Sequence, residues 1–227
     1  MKNKNNLLTV SYLIGIALVD FMGLGVVVTL FPKLLLEADS LLLPLSWSNS
    51  LRLTALGVFL AIYPLGQFFG AAVLGKLSDR FGRRRLLLLT LTGTLLGFLA
   101  SGWALVIASP LLLFFSRLFS GLFSGNIAVV QASLADISPD EATKNRYFSW
   151  FQVALGLSWV IGPPMGGWLS DNTLVDWFTY TTPFWITCGF LSVLLLVTQC
   201  WFKETASLVT PKSTQKCSGC SLFSGIR

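Results

Sequence analysis

Residues 86–107 read LLLLTLTGTLLGFLASGWALVI, 22 consecutive positions without a charged side chain. At 1.5 Å of rise per residue a helix of this length spans about 33 Å, close to the thickness of a bilayer's hydrocarbon core. A lone segment can cross lipid only as a helix, because every backbone N–H and C=O must then find its partner within the segment. Five more apolar runs flank this one, near Leu7–Phe31, Leu51–Leu74, Leu111–Leu134, Tyr147–Leu169 and Phe178–Phe202. The sequence therefore predicts an all-α integral membrane protein, a six-transmembrane-helix bundle over residues 1–205. Composition agrees: 54% of the residues are hydrophobic and 11% charged, where a soluble domain carries about 25% charged residues. The short alternating strands of a membrane barrel are absent from the pattern. The first run follows Lys2 and Lys4 as a signal peptide would, but it is too long and too interrupted by polar residues, and reads as a retained helix.

Charge sets the orientation. With the N-terminus inside, thirteen of the 16 Lys and Arg residues face the cytoplasm, Lys33 and Arg52 face outward, and Arg117 falls within a span. That bias predicts both termini cytoplasmic in a bacterial inner (plasma) membrane. The pI of about 9.4 then reports topology; the basic residues form no continuous face of the kind that binds nucleic acid. The chain has no histidine, and Cys217 with Cys220 is a lone pair without the further ligands that zinc needs. Neither a nucleophile site, a carboxylate pair nor a Walker-type loop appears, so no enzyme and no bound cofactor is expected. The Lys, Ser, Thr and Pro of residues 206–227 read as a disordered cytoplasmic tail.

Three groups of residues stand out. Between the second and third runs lies Gly75-Lys76-Leu77-Ser78-Asp79-Arg80-Phe81-Gly82-Arg83-Arg84-Arg85. As a topogenic basic loop it would explain the arginines, but not Gly75, Asp79 and Gly82. Gly75 would admit another helix at the membrane edge, and Asp79 would pair with a basic group or a helix N-terminus. Asp20 and Arg117 are the clear intramembrane charges, each costing at least about 2.5 to 3.5 kcal/mol to insert, so a proton-coupling role is expected of them. The alternative is a static buried ion pair. Each precedes spaced glycines, Gly23 and Gly25 in the first run, Gly121 and Gly125 in the fourth, which suit either helix packing or a substrate path. In the fifth run Gly156 and Gly162-Pro163-Pro164-Met165-Gly166-Gly167 suit a kinked helix with a close seam. Gln67, Asn126 and Gln131 suit hydrogen bonds between helices.

The loop resembles the G-x-x-x-D-R-x-G-R-R-R signature of the major facilitator superfamily at every fixed position. Asp20, Gly23 and Gly25 with Pro32 resemble the first helix of its drug:proton antiporter branch, tetracycline exporters in particular, although Thr29 stands where those commonly carry another proline. Arg117–Gly125 resembles that family's fourth-helix arginine motif, and Gly162–Gly167 its antiporter motif. The resemblance implies the N-terminal six-helix half of the fold, a 3+3 inverted repeat, exporting a small amphipathic drug-like compound against a proton gradient. Asp20 would carry the proton, Gly75–Arg85 would gate, and the fifth-helix motif would seal against leakage. The partners implied are the lipid bilayer, a small-molecule substrate and a second six-helix half or a homodimer. The competing expectation is a truncated or split membrane protein that is inactive alone and packs against a partner half.

The topology predicts that reporters fused after Ser48 and after Asp171 both report the outside face; cytoplasmic signal at either fusion would break it.

Overall fold

The computed structural model describes residues 2–36, 42–44, 46–171 and 175–201, with side chains from 7 to 200. The expected tail, the Cys217–Cys220 pair and the side chains of Lys2 and Lys4 lie outside the described residues. Seven α-helices follow in order: α1 (Lys2–Leu36), α2 (Asn49–Phe81), α3 (Arg83–Val106), α4 (Pro110–Ser124), α5 (Asn126–Ile137), α6 (Glu141–Leu169) and α7 (Thr182–Trp201). There is no strand among the described residues. α4 and α5 are the two parts of one 28-residue span, Pro110–Ile137, divided at Gly125. The expected fourth helix is thus interrupted within its length. Five of the six spans are both long and apolar enough to cross a membrane. α6, with 29 residues, is long enough, but Gln152, its prolines and its glycines make it less apolar.

The helices outrun the apolar stretches, because polar residues at their ends still complete backbone hydrogen bonds. Lys33 is in the last turn of α1, and Lys144 and Arg146 are in the first turns of α6, beyond the apolar runs that end at Phe31 and begin at Tyr147. Three N-termini are closed by side chains. Ser48 and Ser109 accept from Leu51 and Leu112 N–H, each at 3.4 Å, and Asp140 accepts from Thr143 N–H at 3.0 Å. Those bonds, with the Thr143 hydroxyl, hold the Asp140 carboxyl below its ordinary range, so this cap persists above that range and is lost on acidification through it.

The connections from α2 to α6 are short. A single residue, Gly82, joins α2 to α3 at φ 90° and ψ 148°, a left-handed φ that favours glycine. Ile107–Ser109 joins α3 to α4, with Ala108 at φ 51° and Ser109 N–H donating to Ala104 O at 2.9 Å. Successive spans alternate in direction. One end of the bundle therefore gathers Gly82, the end of α5 and the end of α7, where Arg84 donates to Gln199 O at 2.6 Å. At the other end the rings of Trp103 and Trp185 meet edge to face at 6.1 Å.

The helices pack most extensively along α1 against α6, α2 against α4 and α3 against α4, and the first two of these seams correspond to each other. Along α6 the buried residues Ala154, Ser158, Gly162 and Gly166 recur every four positions. The Ser158 hydroxyl donates to Leu18 O at 3.0 Å, and a Cβ on Gly162 would fall 2.8 Å from Met22 O and 3.1 Å from the Gly25 Cα. Across the α2–α4 seam a Cβ on Gly70 would lie 1.9 Å from Leu122 O, and one on Gly125 would lie 2.3 Å from Ala71 N. Small residues let backbones touch where lipid supplies no hydrophobic drive for association. The equivalence of the seams fits a 3+3 inverted repeat: exchanging spans one to three for four to six carries the contact of spans one and five onto that of four and two. The spaced glycines of the first and fourth spans are accordingly packing residues, with Gly23 set against the Phe98 ring.

Gly70→Ala is predicted to destabilise the bundle by about 1 to 3 kcal/mol, the usual cost of overpacking. Gly57→Ala, with nothing within 4 Å of its Cβ position, should be neutral or slightly stabilising, since alanine is the better helix former. Thermal unfolding in detergent compares the two, and equal loss in both would break the seam account.

Candidate functional site

Asp20 is 2% exposed, deep in α1. Its Oδ2 accepts a close hydrogen bond from the Ser124 hydroxyl at the end of α4, and its Oδ1 has no hydrogen-bond partner. Ser124 Oγ in turn accepts from the Tyr63 hydroxyl at 2.6 Å and from Gln67 Nε2 at 3.3 Å, both on α2. One donated and two accepted bonds use the full capacity of a hydroxyl. The cluster joins α1, α2 and α4 at the interruption of the fourth span.

Arg117 is fully buried on α4, two turns before Ser124. Its Nε and Nη2 donate to Ser101 Oγ on α3 at 3.0 and 2.7 Å, and Ser101 Oγ lies 2.8 Å from Ser116 Oγ. The guanidinium sits 4.4 Å from the centre of the Phe98 ring and 5.2 Å from that of Phe184. A desolvated contact of this kind is worth about 2 kcal/mol, which offsets part of the cost of the buried charge. Nη1 has no hydrogen-bond partner. Asp20 and Arg117 are therefore not an ion pair, and the static pair that their sequence suggested is not formed. Seven helical steps of α4, about 10 Å of rise, separate Arg117 from Ser124, the residue that Asp20 contacts.

The Gly75–Arg85 segment is not an open loop. Gly75 to Phe81 are the closing turns of α2, Gly82 breaks the helix, and Arg83 to Arg85 open α3. Arg83 is the centre: Nη1 bonds Asp79 Oδ1 at 2.7 Å, and Nε bonds Asp136 Oδ2, in the last turn of α5, at 3.0 Å. A close hydrogen bond from Nη1 to the Ser78 hydroxyl completes the clamp, and Ser78 itself donates to Gly75 O at 2.7 Å. Asp79 thus has its basic partner within this chain. Arg80 and Arg85 are exposed, whereas Arg84 binds α7. A Cβ on Gly75 would meet the Ala128 Cβ at 3.7 Å, an ordinary contact, and the backbone-tight approach occurs at Gly70.

The α6 motif divides between two faces. Gly162 and Gly166 belong to the seam, and Pro163 O accepts from the Thr29 hydroxyl at 3.2 Å. Gly156 and Gly167 have nothing within 4 Å of a Cβ. α6 runs unbroken through Pro163 and Pro164. Thr29, at the position where a second proline was expected, ties α1 to that proline turn.

Sequence reasoning did not select Tyr63, Ser101, Ser124 or Asp136. Ser124 immediately precedes the quoted Gly125, and the clamp implied an acid beyond Asp79, so both left a signal. Ser101 and Tyr63 left none, because small hydroxyls and single aromatics are common in spans. Gln67 was expected to bond between helices, and it does.

The sequence model of the Major Facilitator Superfamily matches residues 11–220. The chain is 35% identical over 191 residues to the class B tetracycline resistance protein of Escherichia coli, covering 84% of this chain and 43% of that one. Multidrug resistance protein 1 of Bacillus subtilis is 28% identical over 200 residues, covering 86% and 46%. In structure the chain superimposes on the inward-open xylose transporter of E. coli with a TM-score of 0.67 at 18% identity, covering 88% of this chain and 48% of that chain. The chain thus spans less than half the length of these relatives. A family match over nearly all of its residues, on a helical bundle of the same fold, has one meaning: the chain belongs to the major facilitator superfamily.

Proposed function

We propose that this chain forms the six-helix half of a proton-coupled exporter of small amphipathic compounds, with Asp20 as its proton site. The observation that carries the reading is the Asp20 carboxyl, buried among α1, α2 and α4, with one oxygen held by Ser124 and the other without a partner. An ionisable group held in a span at this cost without a counter-ion beside it is suited to take up and release a proton. The free oxygen gives that proton a place on the carboxyl. Relatives named for tetracycline and multidrug resistance support an export substrate of that class. The Arg83 clamp joins three helices at the end that the charge bias assigns to the cytoplasm, and in this reading it is the latch that opens and closes that side.

The test supplies the complementary six-helix half of a tetracycline-resistance relative and measures efflux from vesicles under an imposed pH gradient. Gradient-driven efflux is expected with the native chain and background levels with Asp20→Asn at equal expression. Coupled efflux surviving in Asp20→Asn would remove Asp20 from the proton path. Efflux by the chain without the added half, together with self-association, would replace the two-half reading by a homodimer.

The clamp generates a separate expectation. The Asp79 side chain is 68% exposed and that of Asp136 is 32% exposed. Asp79→Asn should therefore cost under about 1 kcal/mol of stability, and Asp136→Asn about 1 to 3 kcal/mol. Both should slow efflux in the reconstituted pair while leaving membrane insertion intact, and normal efflux in both would reduce the segment to a topogenic signal.

A further inference from the structure

The fourth span is interrupted at one residue, and the residue before the interruption, Ser124, is held from two other helices. In an unbroken helix Ser124 C=O would accept from Ala128 N–H; here Ala128 N–H donates instead to Gly125 O at 3.2 Å. The freed Ser124 carbonyl accepts from Gln67 Nε2 at 3.4 Å, so the same α2 side chain reaches both the carbonyl and the hydroxyl of Ser124. Its hydroxyl donates to Asp20 on α1. The break is buried and backbone-tight, with Gly125 lying against Gly70 and Ala71 of α2.

We propose that Ser124 is the positioning residue that couples the proton occupancy of Asp20 to the conformation of the α4–α5 break. This rests on the reading of Asp20 as the proton site. A hydroxyl donates about twice as strongly to an ionised carboxylate as to a neutral carboxyl. When Asp20 is ionised, the Ser124–Asp20 bond holds the end of α4 against α1. When a proton from the aqueous phase binds Oδ1, the carboxyl becomes neutral, that bond weakens, and Ser124 is left to its α2 partners Tyr63 and Gln67. The balance of hold at the break passes from α1 to α2. By linkage, whatever rearranges the break alters proton binding by the same factor.

The other groups that bear on Asp20 by charge or titration are few. Tyr63 faces it from α2, Arg117 lies two turns up α4 and is bonded to Ser101, and Cys188 is on α7 beside Arg117. The ionisable residues of α3, α5 and α6 lie toward the Gly82 end, from Arg83 to Arg85, at Asp136, and from Glu141 to Tyr147. Proton binding at Asp20 therefore acts first on Ser124, which donates to its Oδ2, and on Tyr63, which faces the carboxyl and donates to the same Ser124 hydroxyl.

Hydrogen–deuterium exchange of the purified chain in lipid nanodiscs provides the test. Protection of the amides of residues 126–130, corrected for intrinsic exchange, is followed from about pH 5 to about pH 8. In the native chain it is expected to change about tenfold, the factor that one pKa unit of coupling carries. Asp20→Asn and Ser124→Ala should both flatten the profile, and Ser124→Thr, which retains the hydroxyl, should restore it. A flat profile in Asp20→Asn with a native profile in Ser124→Ala overturns the coupling role and leaves Asp20 as the proton site. A native profile in Asp20→Asn refutes the proton-site reading and the coupling with it. Failure of Ser124→Thr to restore the profile assigns the effect to packing and also overturns the proposal. Should Ser124→Ala not fold, Ser124→Cys, whose S–H is a weak donor of similar size, is judged by the same criterion.

Discussion

Direct contact between the backbones of α2 and the fourth span is the constraint on which the rest depends. Gly66 and Gly70 on one side and Gly121 and Gly125 on the other leave no room for a Cβ. Only at that separation can a tyrosine and a glutamine of α2 reach a serine on α4, and only from there can the serine reach α1. Chemistry at Asp20 is thus set by packing several residues away. Because lipid rewards apolar surface as well as a protein core does, such contacts and hydrogen bonds must supply the specificity that hydrophobic burial supplies in water.

Polar groups within the bundle are handled in two ways. Most are absorbed locally: hydroxyls such as Ser133 donate to the carbonyl four residues earlier, at 2.7 Å, and add little between helices. A minority cross the bundle, among them Ser124 to Asp20, Tyr63 to Ser124, Arg84 to Gln199, Tyr12 to Leu194 and Thr198, Ser158 to Leu18, Thr29 to Pro163, Arg117 to Ser101 and Arg83 to Asp136. These cross-links join each of the two corresponding seams to the remaining spans. Arg117 differs from Arg83 in having no acid, being held instead by two rings and a serine, a cage that fixes its position without cancelling its charge.

The spans, their number and their alternation were legible in the sequence, because an apolar run of about 20 residues has one structural solution in lipid. The 75–85 segment was legible as a family signature, but its form was not. Loop character was inferred from charge, whereas the charges belong to helix ends that merely leave the hydrocarbon. The break at Gly125 escaped the sequence because a single glycine in a span more often marks packing, and here it does both. Ser124 and Ser101 escaped because a buried serine acquires meaning only from what is opposite it. Of the two expectations for Asp20 and Arg117, the static ion pair is not formed, because two turns of α4 separate Arg117 from Ser124, the residue that Asp20 contacts.

The brevity of the connections has a mechanical consequence. From α2 to α6 the helices are linked by one residue at Gly82, three at 107–109, one at Gly125 and three at 138–140, whereas twelve residues separate Leu36 from Asn49 and twelve separate Leu169 from Thr182. An extended chain reaches at most about 3.6 Å per residue, so a one- or three-residue tether allows little sliding between neighbours, while a twelve-residue tether has a reach of roughly 40 Å. The five middle helices are thus on a short leash in series, and α1 and α7 are on long ones. Chain length alone thus ties α2 to α6 in series, whereas α1, which carries Asp20, is held by its seam with α6 and by its hydrogen bonds to Ser124 and Leu194.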